Sequence, residues 1–138
     1  MCDFWRWGAF GLVGRNGARL IGGMNLFRNA PDARVIEAGT YVCRQGETGT
    51  TMFAVVEGDL EVVHDGEVIE RVGAGETFGE MSLVDKSPRS ADVRATTQCR
   101  VVEIDERRFG FLVQQNPFFA LEIMRTLSKR LRHQIERG

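Results

Sequence analysis

A chain of 138 residues, 43% hydrophobic and 27% charged, is long enough for one sizeable core and too apolar for global disorder. Its formal net charge of −1 argues against a whole-domain nucleic-acid footprint, which needs a strong positive excess. Cys2, Cys43 and Cys99, an odd number at wide spacing, fit reduced thiols in a cytoplasmic protein better than a disulfide framework or a metal cluster.

Residues 1–23 hold Trp5, Trp7 and six glycines without a sustained period. They read as an N-terminal extension, either loosely ordered or docked as a short amphipathic helix through Phe10, Val13 and Leu20, and the domain proper occupies residues 24–138. No apolar run approaches the ~20 residues that cross a bilayer, so no membrane partner is expected.

From Ala33 to Asp105, short runs rich in Val, Ile, Thr and aromatic residues alternate with glycine turns. The predicted strands are Arg34–Glu37, Tyr41–Arg44, Met52–Glu57, Leu60–His64, Val68–Val72, Asp92–Ala95 and Arg100–Ile104. Asp65-Gly66 is the signature of a type I′ hairpin, whose two central residues both take positive φ. Seven or eight such strands at close spacing imply an antiparallel sandwich, barrel or roll. Beyond Asp105 the period changes. Asp105 is placed to cap a short helix, Glu106–Val113, and Asn116-Pro117 opens a longer one. In the longer helix Leu121, Met124, Leu127, Leu131 and Ile135 recur at three- and four-residue spacing.

The chemistry lies between Phe78 and Ala91. Gly79 precedes a predicted helical turn, Glu80–Val84, which contains Met81 and Ser82 and whose free N–H groups can converge on an anion. Pro88 then stiffens the chain, and Arg89 supplies a planar fork that can grip two oxygens of a phosphodiester. Ser90 adds a hydroxyl and Ala91 leaves room. Glu80, an acceptor when ionised, suits a sugar hydroxyl. These groups suit a sugar joined to a singly charged phosphate.

Phe78-Gly79-Glu80, followed at this distance by Pro88-Arg89-Ser90-Ala91, resembles the phosphate-binding cassette of cyclic nucleotide-binding domains. That family includes domains of catabolite activator proteins, of regulatory subunits of cAMP-dependent protein kinase and of cyclic nucleotide-gated channels. The likeness runs from about Leu26 to Arg132 and takes in Ala38-Gly39, Gln45-Gly46-Glu47, Met52-Phe53 and Glu57-Gly58. It implies a mainly β fold: an eight-stranded antiparallel β-roll, jelly-roll-like, with a short phosphate-binding helix inside and two C-terminal helices. It also implies that Gly79, Glu80, Met81, Ser82, Arg89, Ser90 and Ala91 bind the ligand. Glu80 would accept the ribose 2′-OH, and Arg89 would pair with the cyclic phosphate, helped by Ser90 and by backbone N–H groups near Ser82 and Ala91.

The long helix would cover the base and pair two subunits as a homodimer, and a protein partner would read its shift. Where activator proteins carry hydroxyl residues against the base, this chain has Gln134 and Ile135, which leaves Leu131 and Gln134 as candidate base contacts. Ser90 stands where cGMP-selective members often carry threonine, which implies cAMP in preference to cGMP.

Two alternatives stay open. Arg89 paired with Glu80 in an empty pocket would make the chain a ligand-free dimerisation or interaction module. A fragment of an activator-type transcription regulator is the other; such regulators continue into a helix-turn-helix, this chain stops at Gly138, and direct DNA binding is not expected. His64 and His133 are far apart, so neither a metal site nor another cofactor is expected. No nucleophile and base can be assembled from spacing, so the chain does not read as an enzyme.

Overall fold

Alternating apolar residues pair strands, and glycine turns end them. The computed structural model describes Phe27 and residues 29–137, and the predicted N-terminal extension lies outside these described residues. Eight strands form: β1 (Arg34–Ile36), β2 (Tyr41–Cys43), β3 (Met52–Glu57), β4 (Leu60–His64), β5 (Glu67–Val72), β6 (Thr77–Phe78), β7 (Asp92–Ala95) and β8 (Cys99–Ile104). The helices described after Ala33 are α1 (Glu80–Asp85), α2 (Glu106–Gln115) and α3 (Pro117–Arg137). The strands build two four-stranded antiparallel sheets, in the orders β1-β8-β3-β6 and β2-β7-β4-β5. This is the predicted β-roll. At the β4–β5 hairpin, Asp65 and Gly66 take φ of 50° and 80°, as a type I′ turn requires.

Strands β3 and β8 are buried on both faces, and their two-residue period builds two cores. Phe53, Val55, Cys99 and Val101 point between the sheets with Ile36, Cys43, Leu60, Val72, Phe78 and Val93. Met52, Ala54, Val102 and Ile104 point the other way, into a second cluster with Phe27, Leu83, Leu112, Phe119 and Ile123. Burial pushes the Cys43 thiol up to about 11, so it stays protonated at neutral pH and fills core space.

The predicted caps form. The Asp105 side chain accepts from the Arg108 N–H at 2.8 Å, and Asn116 Oδ1 accepts from the Phe118 N–H at 3.1 Å. Most of the predicted apolar stripe of α3 faces outward. Leu121, Met124, Leu131 and Ile135 are exposed, and Leu127 is half-buried. The stripe that packs inward begins with Phe119 and Ile123 and continues to Leu127. Helix α3 has two apolar stripes, and periodicity alone does not say which one meets the domain.

Candidate functional site

The site is built where α1 follows β6 and the loop after α1 returns to β7. Gly79, at φ 83°, makes the corner into α1; a Cβ there would sit 2.9 Å from Arg89 Nη1. A Cβ on Gly49 would sit 2.6 Å from Arg89 Cζ, so the guanidinium lies against two glycines. The backbone of Arg89 is clamped as well. Its N–H donates to the Glu47 carbonyl at 2.8 Å, and its own carbonyl accepts from the Gly46 N–H at 2.8 Å. The turn after α1 is closed by Lys86, which is left-handed at φ 61° and donates its N–H to the Ser82 carbonyl at 2.9 Å. The Ser82 hydroxyl donates to the Ser87 carbonyl at 2.8 Å.

Arg89 is only 9% exposed. Its Nη1 donates to the Thr51 carbonyl at 2.7 Å and to the Gly79 carbonyl at 3.5 Å, its Nη2 donates to Thr51 Oγ1 at 3.2 Å, and its Cζ lies 5.6 Å from the centre of the Phe53 ring. Among the described residues it forms no ion pair with a carboxylate. The acid expected as its alternative partner, Glu80, is 1% exposed and engaged elsewhere. Glu80 Oε2 accepts from Thr77 Oγ1 at 2.5 Å, and Glu80 Oε1 accepts from Arg130 of α3. The Arg89–Glu80 pair that would have made the arginine purely structural is not formed.

Arg130 is one of the site residues that sequence reasoning missed, with Thr51 and Glu70. Its Nε and Nη2 donate to Glu70 of β5 at 3.1 and 3.0 Å, and Nη2 also donates to the Thr77 carbonyl at 3.2 Å. Burial alone would lower its pKa, but the charges of Glu80 and Glu70 prevail and hold it above the ordinary arginine value. One guanidinium therefore ties α3 to β5 and to the first residue of α1. A signal for it was present: Arg130 follows Phe119, Ile123 and Leu127 at helical spacing, so it extends the inward stripe.

Of the expected ligand-binding residues, Glu80, Ser82, Arg89 and Ala91 are buried, with Arg89 against Gly79, whereas Met81 and Ser90 are exposed. Leu131 and Gln134, the candidate base contacts, are exposed, and Arg130 is the α3 side chain that enters the site. The arrangement sets a buried cation against Gly79, the corner that opens α1, and a buried carboxylate on the first residue of α1: groups for a phosphate and a sugar hydroxyl.

Known proteins resemble this chain over the region that holds the site. The chain is 38% identical over 97 residues to a cyclic nucleotide-gated potassium channel of Rhizobium etli, a match covering 70% of this chain and 27% of the channel. It is 33% identical over 92 residues to the cAMP-dependent protein kinase regulatory subunit of Schizosaccharomyces pombe, covering 66% of this chain and 21% of that subunit. The crystal structure of the Thermus thermophilus catabolite activator protein superposes with a TM-score of 0.67 at 27% identity, over 76% of this chain and 52% of that one. This chain thus spans about a quarter or less of the two sequence relatives and about half of the structural one. Residues 33–116, which contain both the cassette and the strands that enclose it, match the family model described as the cyclic nucleotide-binding domain, and the chain belongs to that family.

Proposed function

We propose that this domain binds a cyclic nucleotide, cAMP in preference to cGMP, and transmits occupancy through α3. The observation that carries the reading is Arg89: a buried guanidinium, set in the cassette against two glycines, with no carboxylate partner among the described residues. Such a charge is costly to bury and is compensated by a bound anion. A cyclic phosphate is a monoanion with two free oxygens, which suits one planar fork. Ser90 rather than threonine after Arg89 supports cAMP.

Transmission follows from competition at one carboxylate. A ribose hydroxyl that donates to Glu80 contests the oxygen now held by Arg130, and Arg130 is part of α3. Nucleotide entry therefore changes how α3 is held, and a protein that contacts α3 senses the difference. A thermal-shift series with cAMP, cGMP and 5′-AMP tests the reading. At 100 times its dissociation constant a ligand adds ~2.7 kcal/mol, a rise in melting temperature on the order of 10 °C for a domain this size. The expected order of midpoint concentrations is cAMP below cGMP, with 5′-AMP inactive. No shift with either cyclic nucleotide at millimolar concentration overturns the reading and favours a ligand-free interaction module.

We also infer that α3 pairs with a second copy. Leu121, Met124, Leu131 and Ile135 recur at intervals of three, seven and four residues on its outward face, and Leu131 and Ile135 remain 63% and 69% exposed. Sedimentation equilibrium is expected to give a dimer that Leu131→Glu converts to monomer. A monomeric wild-type chain contradicts this pairing.

A further inference from the structure

Thr51 is placed between two charges. It immediately precedes β3, its carbonyl and its hydroxyl oxygen both accept from Arg89, and its hydroxyl proton goes to Glu103 Oε2 of β8 at 2.8 Å. A threonine hydroxyl has one proton, and an ionised carboxylate can only accept. Glu103 therefore accepts the hydroxyl's one hydrogen bond and leaves the oxygen's lone pairs facing Arg89 Nη2. Glu103 is backed in turn by Arg34 of β1, whose Nη2 lies 3.9 Å from Glu103 Oε1. The chain of contacts runs from Arg34 through Glu103 and Thr51 to the buried guanidinium.

We propose that Thr51 and Glu103 are positioning residues for Arg89: Glu103 fixes the rotation of the Thr51 hydroxyl, and Thr51 then fixes the plane of the guanidinium that meets the phosphate. The Thr51 and Gly79 carbonyls locate Nη1. The bond from Nη2 to the Thr51 hydroxyl oxygen holds the other arm of the fork. A bidentate grip depends on this plane, because a fork turned out of the plane of two phosphate oxygens keeps its charge and loses one of its hydrogen bonds. This inference rests on the nucleotide reading above, yet the orientation of Arg89 can be measured without any nucleotide.

The test uses Thr51→Val, which removes the hydroxyl at nearly constant volume, with Thr51→Ser, Glu103→Leu and Glu103→Gln as companions. In the unliganded protein, nitrogen NMR of Arg89 is expected to show an Nη2 resonance that is shared by the wild type and Thr51→Ser and is shifted in Thr51→Val, where Nη2 has lost its acceptor. By calorimetry, Thr51→Val and Glu103→Leu are expected to weaken cAMP binding by about tenfold, the worth of one hydrogen bond to a charged group. Thr51→Ser and Glu103→Gln, which keep a hydroxyl and an accepting oxygen, are expected to stay within about twofold of the wild type. Unchanged Arg89 resonances in Thr51→Val, or a Thr51→Val affinity equal to that of the wild type, overturns the positioning role. Absent nucleotide binding in the wild type instead overturns the nucleotide reading, and the resonances still report whether Thr51 orients Arg89.

Discussion

Replacing Arg89 with alanine is expected to weaken cAMP binding by about 2–5 kcal/mol, roughly thirty- to several-thousand-fold. The size follows from where the guanidinium sits. It is 9% exposed, so little water remains to take over its contact with a phosphate once it is gone. The same substitution is expected to leave the melting temperature of the unliganded protein nearly unchanged. Losing the bonds to the Thr51 and Gly79 carbonyls is offset by removing a buried charge that has no carboxylate partner among the described residues. Arg89→Lys keeps the charge but not the fork, and its affinity is expected to lie between those of the other two proteins. Calorimetric titration of the three proteins, with thermal melts of each, checks both halves. Equal affinity for cAMP in wild type and Arg89→Ala removes the arginine from the site.

Arg130→Met should act in the opposite way, mainly on stability and on communication. Glu80 is 1% exposed, and its cationic partner is Arg130. Breaking a buried pair by deleting one member leaves the other charge without compensation, at a cost of about 3–5 kcal/mol. For a domain of this size the melting temperature should fall by roughly 10 °C or more. Adding Glu80→Gln to Arg130→Met removes the orphaned charge, and the double variant is expected to regain part of the loss. Hydrogen exchange gives a separate reading. In the wild type, cAMP should alter the protection of amides along α3; in Arg130→Met that response should vanish, because the link from Glu80 to α3 has been cut. A ligand response in α3 that persists without Arg130 contradicts the proposed route.

Much of the fold could be read before the structure. The seven predicted strands match to within one residue at their ends, since each is a short run of β-forming residues that stops at a turn. Strand β6 escaped because it has only two residues, Thr77 and Phe78, too few for a period, between Gly75 and Gly79. The cassette was legible because Gly79, Glu80 and Arg89 act locally, through a corner, a helix start and a short return. Thr51, Glu70 and Arg130 were not, because each depends on a long-range contact. Nothing in the spacing of Thr51 and Arg89 shows that they meet, and an arginine among Lys129, Arg132 and Arg137 reads as one more solvated charge. The two stripes of α3 show the same limit: apolar spacing marks a face, and only packing identifies its neighbour.

A crystal structure of the protein grown with cAMP tests the central claim most directly. The expected result places the cyclic phosphate within hydrogen-bond distance of the Arg89 guanidinium and the first amides of α1, with the ribose hydroxyl on Glu80 and Arg130 displaced from that carboxylate. A nucleotide bound elsewhere on the domain, or an Arg89 side chain turned out to solvent, contradicts it.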